Sequence, residues 1–496
     1  MIAKSVFRSA LALVGVLLLS MTAVCDAAPV AQAIGNGIIR FDASPQAAAN
    51  RRPSFALVRA FPSIGSLESV NLAVVPEFSV DEGGRNAVSI QIGAGTSLYG
   101  TGQVPGPLLR NGFVTETWNF DAFGYGLDAQ NLYTSHPWVL AVRADGSAFG
   151  VLADTTERCE IDLRDGITFR AVGPEFSVIV IDRSSPQEVM KGLSELTGTI
   201  AMPPKWAVGY HQCRYSYNPE SRVKEVVMEF RNRKLPADVI WMDIDYMDEY
   251  RVFTFDDDQF PDPAELNRWL DTYGFSNVWM IDPGVKKEEG YFVYDSGTEL
   301  DVWTKNAKGE TYTGEVWPGV CVFPDYFNKD VRSWWAGLYV DFMALGIDGV
   351  WNDMNEPAVF NVKTKTMPED NIHHADEELG GTGTHGRYHN VYGMQMIRAT
   401  REGVMATNPT KRPFVLSRAN FIGGQRYGAT WTGDNSANWE HLEMSIPMTL
   451  NLSLSGQPFA GPDIGGFAYN GDGELYARWM GFGTLMPFAR GHTAKG

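Results

Sequence analysis

The chain has 496 residues, 44% of them hydrophobic, and a formal net charge of −18 at pH 7. This length exceeds one ordinary domain and predicts two or three folded units. The sequence has no run of Lys and Arg. This excludes nucleic acid as a partner, because phosphate backbones are bound by clustered basic side chains. An uncharged substrate is compatible with this composition.

The N-terminus carries the pattern of a secretory signal peptide. Lys4 and Arg8 precede an apolar run over residues 11–24, which is too short for an ordinary membrane span. We therefore expect residues 1–33 to be a signal and the protein to be secreted or periplasmic, with no membrane span. Cys25 raises a lipoprotein alternative, but the residues before it match a lipid-attachment box poorly. Two small-residue segments offer cleavage sites, Cys25-Asp26-Ala27 and Ala31-Gln32-Ala33.

Three cysteines remain outside the predicted signal: Cys159, Cys213 and Cys321. An odd and sparse set does not form a disulfide framework, and the spacing does not fit a zinc knuckle. We expect buried free thiols.

Residues 34–200 contain short strand-like runs separated by Gly, Asp, Asn and Pro. This pattern predicts an all-β sandwich domain. The segment 201–205 then marks a domain boundary, because the proline pair it contains continues neither a strand nor a helix.

From residue 201 to residue 496, strand-like and helical segments alternate. Apolar strands in βα alternation indicate a parallel sheet covered on both faces, and eight of them indicate a (β/α)₈ TIM barrel. A doubly wound sheet is the alternative, but no Gly-rich phosphate turn follows the first strand. The predicted strands are 206–213, 239–242, 278–281, 349–351, 414–416, 428–431, 458–460 and 486–489.

Three helices are predicted between the early strands. The first has Asn218 as its cap and Pro219 as its first residue, and the second ends at Gly274. The third covers residues 328–345 and ends at Gly346. Its predicted apolar stripe consists of Val331, Trp334, Leu338 and Phe342.

Charged side chains follow the predicted strands, at the face where barrels place their chemistry. One Asp in such a position is usually a helix cap, but five together indicate a functional site. A ring of carboxylates serves either a hard metal ion or the cleavage of a glycosidic bond. Aromatic residues near these strand ends favour a sugar-binding site, because metal ligation does not need indoles. They are Trp241, Trp279, Trp317, Trp351, Trp431 and Phe467. The charged set is Arg214, Asp243, Asp282, Asp353, Arg418, Asp434, Asp463 and His492.

Two longer motifs resemble glycoside hydrolase family 31. Residues 351–357 (WNDMNEP) are similar to its nucleophile segment, and residues 428–435 (GATWTGDN) to its acid/base segment. Residues 434–466 are similar to the α-glucosidase branch, which includes the catalytic subunit of endoplasmic-reticulum glucosidase II. Shorter matches are 99–102 (YGTG), 119–124 (NFDAFG) and 486–490 (MPFAR).

The resemblance implies roles for particular positions. Asp353 takes the place of the nucleophile and Asp434 that of the acid/base. The remaining implied roles concern the sugar. Its hydroxyls are held by Asp243, Arg418 and His492, and the same pocket is lined by Asp282 and Asp463. Its apolar walls are Trp317, Met354, Trp431 and Phe467, and Asp121 reaches the pocket on a loop of the β-domain.

The chain departs from the family pattern in two places. Tyr215, in the substrate pocket, stands where many relatives have Trp, and Pro462 precedes Asp463 where Ala is common. Both departures bear on which sugar is preferred. The chain also stops just past the predicted eighth strand. We therefore expect the last barrel helix and the family's C-terminal β-domains to be missing, and the shortened chain to be marginally stable.

These roles define a mechanistic hypothesis for a retaining exo-α-glucosidase. Its two carboxyls should lie roughly 5–5.5 Å apart. Arg418 should keep Asp353 ionised, whereas Asp434 should hold its proton to higher pH. The resemblance implies a carbohydrate substrate and neither cofactor nor metal. The alternatives are α-xylosidase, α-transglucosylase, α-glucan lyase and an inactive truncated sugar-binding fragment.

Four histidines, His373, His374, His385 and His389, lie in the loop inserted at 359–390. A metal site is one interpretation of this group. A surface loop beside the active site is favoured, because the stretch is polar.

Overall fold

The computed structural model describes residues 29–64 and 73–495. The predicted signal features at Lys4, Arg8 and Cys25 lie outside the described residues. The other cleavage option, 31–33, falls within the strand Val30–Gly35, which pairs antiparallel with Ile38–Asp42.

The N-terminal part forms two antiparallel sheets, as predicted. Inward side chains of both sheets, among them Phe41, Val151, Phe169 and Val178, bury one core. In spatial order the six-stranded sheet consists of Val30–Gly35, Ile38–Asp42, Ser177–Arg183, Ala148–Asp154, Trp138–Val142 and Ser97–Gly100. The five-stranded sheet consists of Glu77–Val80, Asn86–Ile90, Ile167–Ala171, Cys159–Asp162 and Val114–Thr117.

Two helices accompany this sandwich, Pro45–Ala49 and Pro186–Thr197. Each begins with proline after a serine whose hydroxyl accepts a backbone N–H, the usual start signal of a helix. The longer helix buries Val189, Leu193 and Leu196.

The C-terminal part is a nearly closed parallel barrel, so the predicted fold class is confirmed. Its seventh strand is in two pieces: Ala460–Gly461 pairs with the sixth strand, and Asp463–Ile464 pairs with the eighth. Pro462 between them has no N–H to donate to a ladder, so the break falls there. In chain order the other strands are Tyr210–Gln212, Val239–Met242, Ser276–Ile281, Gly349–Asn352, Val415–Ser417, Ala429–Trp431 and Ala489–Gly491.

Several predicted boundaries differ from the structure. The first strand begins only at Tyr210, because Lys205–Val208 forms a 3₁₀ turn after Pro204. The first barrel helix begins at Glu220; Pro219 has an extended backbone, so Asn218 is not the cap. Gly274 and Gly346 follow their helices with φ of +68° and +85°, as expected of helix-ending glycines.

The barrel helices are Glu220–Asn232, Pro263–Thr272, Phe292–Glu299, Lys329–Ala344, His385–Tyr388, Tyr392–Thr407, Trp439–Leu454 and Gly473–Gly483. Short 3₁₀ turns lie at Ile244–Tyr246, Asp248–Tyr250, Glu377–Leu379, His389–Val391 and Gly424–Arg426. Small strands outside the barrel are Val285–Lys286, Gly314–Val316, Gly319–Val322, Ile372–His373 and Gly383–Thr384. None of the helices in the described part of the chain has both the length and the hydropathy of a membrane span.

The buried face of Lys329–Ala344 is wider than the predicted stripe, of which Val331 and Phe342 are buried as predicted. Trp335 and Tyr339 are fully buried, whereas Trp334 and Leu338 are only partly buried. The reason is the neighbouring helix Tyr392–Thr407, whose Thr400 hydroxyl lies 3.1 Å from the Tyr339 hydroxyl. A helix contacted from two sides buries more than one stripe.

The two parts of the chain meet beside the barrel mouth. Thr134–Ser135 of the β-domain pairs in parallel with Asn420–Phe421, directly after the fifth barrel strand. The Asn119 side chain donates to the carbonyls of Asn390 and Asn420. These bonds fix the loop 119–124 over the strand ends.

Candidate active site

A cavity of about 280 Å³ opens at the carboxyl ends of the barrel strands. Most of the residues predicted from the sequence line it: Asp121, Tyr215, Asp243, Trp317, Asp353, Met354, Arg418, Asp434, Phe467 and His492. Six further residues complete this wall without having been predicted to line it: Phe123, Ile244, Met280, Trp351, Phe360 and Ala494. Trp351 had been noted only as an aromatic near the strand ends, and the apolar character of the others gives no signal in a sequence.

Asp353 and Asp434 face each other across one guanidinium group. Asp353 directly follows the fourth strand and Asp434 lies shortly after the sixth, with Arg418 after the fifth strand between them. The Arg418 Nε lies 3.1 Å from Asp353 Oδ1, and its Nη1 lies 3.3 Å from Asp434 Oδ2. Two acids far apart in sequence therefore share one pocket.

Glu356 is a further buried acid that was not identified from the sequence. It is fully buried, and its two oxygens accept hydrogen bonds from Nε and Nη2 of Arg418 at 2.9 and 2.8 Å. This two-pronged pair orients the guanidinium. The available signal was its position in the segment WNDMNEP, three residues after Asp353.

Met354 turns the chain between these acids. Its φ of +54° lies in the left-handed region, which residues other than Gly seldom adopt and which is frequent at functional sites. Its sulfur lies 3.0 Å from Arg418 Nη2. The turn brings Asp353 and Glu356, on either side of it, to the same arginine.

Asp121 comes from the β-domain. Its Oδ1 lies 3.7 Å from Nη1 of Arg418, and no hydrogen bond satisfies that buried oxygen. The β-domain thus supplies one wall and one carboxylate to a pocket otherwise built by the barrel.

Three predicted pocket residues lie beneath the cavity lining instead of on it: Asp282, Trp431 and Asp463. Asp463 is fully buried and accepts a 2.8 Å hydrogen bond from Arg490 Nη2. The Arg490 guanidinium lies 4.7–5.0 Å from the ring centroids of Trp241, Trp351 and Trp431. Trp431 therefore packs around a buried cation below the pocket.

Burial dominates the electrostatics of the acids. It raises the pKa of Asp353 above its ordinary value and the pKa of Asp434 well above it, while Arg418 opposes both shifts. We expected Arg418 to keep Asp353 ionised, but its effect is smaller than that of burial. Burial also raises the pKa of Glu356 to about 7 and that of Asp463 to about 6.

Aromatic rings surround the mouth of the cavity. Trp317 is 38% exposed and contacts Phe360 edge-on, with ring centroids 5.3 Å apart, and Tyr215 lies 6.0 Å from Trp317. On another side Phe123, 58% exposed, contacts Phe467. Flat apolar faces with polar groups below them suit the two surfaces of a sugar ring.

The histidines of the inserted loop do not form a surface loop as expected. His373, His385 and His389 are fully buried and make a linear chain of hydrogen bonds. Asp325 Oδ1 lies 2.8 Å from His373 Nδ1, and two bonds of 2.9 Å join the three rings. His389 Nε2 lies 2.7 Å from the carbonyl of Asn119. Both nitrogens of every ring are engaged, which leaves none for a metal.

Hydrogen-bond complementarity assigns the tautomers of this chain. Four hydrogen bonds need four hydrogens, and three neutral imidazoles supply three. The Asn119 carbonyl can only accept, so His389 carries its hydrogen on Nε2. The Nδ1 of His389 then has no hydrogen and accepts, so His385 also carries its hydrogen on Nε2. The fourth hydrogen lies between Asp325 and His373. Burial lowers the pKa of His385 well below its ordinary value and that of His389 to about 3, which agrees with neutral rings at both positions.

A barrel with buried carboxyls and aromatic walls at its strand ends has the architecture of the barrel glycosidases. The sequence model described as glycosyl hydrolases family 31 TIM-barrel domain matches residues 200–496, and that of the family's N-terminal galactose mutarotase-like domain matches residues 76–162. The chain belongs to glycoside hydrolase family 31.

Similar proteins support this assignment. The chain is 46% identical over 403 residues to alpha-glucosidase 2 of Bacillus thermoamyloliquefaciens, covering 80% of this chain and 51% of that protein. A family 31 alpha-glucosidase structure from Bacteroides thetaiotaomicron has 53% identity and a TM-score of 0.76, covering 83% of this chain and 67% of that one.

A family 31 dextranase of Flavobacterium johnsoniae, complexed with glucose, has 25% identity and a TM-score of 0.83, covering 95% of this chain and 63% of that one. The chain spans about half the length of the Bacillus relative.

Proposed function

We propose that this protein is a retaining, exo-acting α-glucosidase that releases glucose from the non-reducing ends of α-glucosides. The observation that carries the proposal is the placement of Asp353 and Asp434 against the single guanidinium of Arg418, inside one small cavity. A cavity of this size suits one sugar unit better than a long chain. The relatives named α-glucosidases support the choice of sugar.

In the proposed first step, Asp353 attacks the anomeric carbon and Asp434 donates a proton to the departing oxygen. The bond between the anomeric carbon and that oxygen breaks, and a covalent glucosyl ester forms on Asp353. Asp353 must be ionised and Asp434 protonated. The larger rise in the pKa of Asp434 supports this division of roles.

In the second step, Asp434 acts as a base and removes a proton from water, which attacks the anomeric carbon and releases Asp353. Each step inverts the configuration at the anomeric carbon, so the two steps together retain it. Arg418 stays close to both acids throughout, and its pairing with Glu356 keeps its side chain in place. Asp243 and His492, on the cavity wall, are placed to hold sugar hydroxyls.

Azide rescue tests the two roles separately. With an aryl α-glucoside, Asp353→Ala should lose turnover, and azide should restore it with β-glucosyl azide as the product. Asp434→Ala with azide should give the α-azide, since the ester on Asp353 still forms. The exposed Glu378 offers a matched control, Glu378→Gln, which should keep full activity. Full turnover by Asp353→Ala would refute the nucleophile role.

Product analysis decides between the alternatives. Faster hydrolysis of p-nitrophenyl α-xyloside than of the α-glucoside would indicate an α-xylosidase. An anhydrosugar product would indicate a lyase, and oligosaccharide products at high substrate concentration would indicate transglucosylation. Glucose binding without turnover in the wild type would indicate a sugar-binding fragment.

We propose that the protein is secreted or periplasmic and that cleavage occurs near residues 25–27, earlier than the expected end of the signal at residue 33. The alternative site at 31–33 would cut the paired strand Val30–Gly35, so the earlier site preserves the edge of the sandwich. Intact mass and N-terminal sequencing of protein from its native host test this. A mature N-terminus after Ala33 would contradict it, and a lipid-bearing Cys25 would support the lipoprotein alternative.

A further inference from the structure

Three side chains of different chemistry converge at the floor of the cavity. One ligand atom each from Cys213, Asp243 and His492 lies within 4.8 Å of the others, and all three residues are buried. We propose that these residues bind a Zn²⁺ ion and that the bound ion excludes the sugar from the pocket. Only the inhibitory consequence rests on the proposed function, because binding of the ion does not require catalysis.

The barrel itself creates this convergence. Cys213, Asp243 and His492 each follow directly after the last residue of the first, second and eighth strands. These strands are neighbours, and Gln212 is in register with Gly491 of the eighth strand. Cys213 and His492 therefore lie at one level of the barrel. Gln212 is also in register with Ile240, so Asp243 lies two residues further along the second strand, with its Oδ2 3.7 Å from His492 Nε2.

The ligand set fits zinc. Thiolate, imidazole and carboxylate are its common ligands, and three protein ligands with an open fourth position are typical of zinc sites that exchange water or substrate. At a tetrahedral zinc, Zn–S and Zn–N bonds of about 2.3 and 2.1 Å place the two ligand atoms roughly 3.6 Å apart, so the side chains need to approach by about 1 Å. Rotation of the Asp243 carboxylate provides such a movement.

Existing contacts hold two ligands in place. The imidazole of His492 lies between Phe467, 4.9 Å away, and the edge of Trp351, 5.4 Å away, and its Nδ1 has no hydrogen-bond partner. Asp243 Oδ1 accepts the backbone N–H of Ile244, while Oδ2 lies 3.7 Å from His492 Nε2. His492 thus keeps its Nδ1, and Asp243 its Oδ2, free of hydrogen bonds and able to bind a cation.

Carboxylates and cations both surround the group. Asp353, Asp463 and Asp245 act on it from neighbouring strand ends, and they are themselves paired with Arg418, Arg490 and Lys495. Burial raises the pKa of the Cys213 thiol and of Asp243, so both lose protons when a metal binds. Burial keeps His492 neutral, the form that binds metals.

The position of the group explains why ion and sugar would compete. Asp243 and His492 line the cavity of Asp353, whereas Cys213 lies behind them. Cys213 and His492 also line a second cavity of about 210 Å³ on the other side. The open coordination position would face the first cavity, where a sugar hydroxyl would otherwise be held.

Calorimetric titration with ZnCl₂ tests the binding without any assay of activity. We expect one site in the wild type and weaker binding in Cys213→Ser. Zinc affinity should fall by at least roughly 10–100-fold, which is the usual loss when residues around metal ligands are substituted. Cys159→Ser is the matched control, because Cys159 is an equally buried free thiol in the β-sandwich. Unchanged zinc affinity in Cys213→Ser would overturn the proposal.

Two further measurements use the wild type alone. Co²⁺ in place of Zn²⁺ should give a near-ultraviolet thiolate-to-cobalt absorption band, and its absence would overturn the proposal even if Cys213→Ser fails to fold. If the protein hydrolyses α-glucosides, Zn²⁺ should inhibit competitively and Mg²⁺ should not. Non-competitive inhibition by zinc would contradict the site. A lack of any turnover would contradict the proposed function and leave the binding result standing.

Discussion

Glu356 and Arg418 form a fully buried two-pronged ion pair, with N–O distances of 2.9 and 2.8 Å. The same guanidinium contacts Asp353 and Asp434, so one arginine is held by an acid behind the pocket and approaches two acids within it. Glu356 does not line the cavity of Asp353, so it is best described as a positioning residue.

Glu356→Gln should lower kcat/KM by about 100-fold, because a shift of the Arg418 side chain displaces the groups that contact it. Removing one partner of a buried ion pair should also cost about 3–5 kcal/mol in the free energy of unfolding. Steady-state kinetics and thermal melting measure the two effects. A positioning role also predicts a changed pH profile, which a loss of stability alone does not produce. A variant with wild-type kinetics would show that Arg418 is held by other contacts.

The pH dependence of kcat/KM should be bell-shaped. Asp353 must be ionised, so activity is lost as pH falls through its pKa, and burial raises that pKa above the ordinary 3.8. Asp434 must be protonated, so activity is lost as pH rises through its pKa, which is raised further. The two apparent values belong to the coupled pair.

The variant Asp434→Ala, assayed with an activated aryl glucoside, separates the two limbs of this profile. Such a leaving group needs little protonation, so the alkaline limb should disappear while the acid limb remains. A profile that keeps its alkaline limb would assign that limb to a different group.

The histidine chain predicts a definite NMR signature. ¹⁵N spectra should show His385 and His389 as neutral rings protonated on Nε2, with a shared proton between His373 and Asp325. His385→Phe interrupts the chain and leaves two buried ring nitrogens without partners, at a cost of about 1–3 kcal/mol each.

The exposed His374, next to His373, provides the matched control, and His374→Phe should melt like the wild type. A fully protonated His389 in the spectra would contradict the assignment of tautomers.

Phe360 should influence the leaving group more than the glucose unit. Its ring fixes the plane of Trp317 through an edge-on contact at the cavity mouth. Phe360→Ala should raise KM for a disaccharide by about 3–10-fold, as expected from the loss of one aromatic pair. Inhibition by free glucose should stay the same. An equal loss for both ligands would place Phe360 at the glucose unit itself.

Much of the site was predictable because it follows from local pattern. Alternating apolar runs and helix signals indicate a barrel, and parallel strands end at one face, so the sequence alone places Asp243, Asp353 and Arg418 together. Gly274 and Gly346 ended their helices as predicted, since a left-handed residue is a local requirement.

Only the tertiary structure decided the rest. Contacts between residues distant in sequence determine four features of the site. These are the pairing of Arg418 with Glu356, the burial of the three histidines, the aromatic rings around Arg490 and the placement of Asp463 beneath the pocket. The sequence by itself determined which strands and helices form and which residues follow each strand, because periodicity and end signals are local. Burial, pairing and the resulting pKa shifts are properties of neighbours, and the neighbours exist only once the chain has folded.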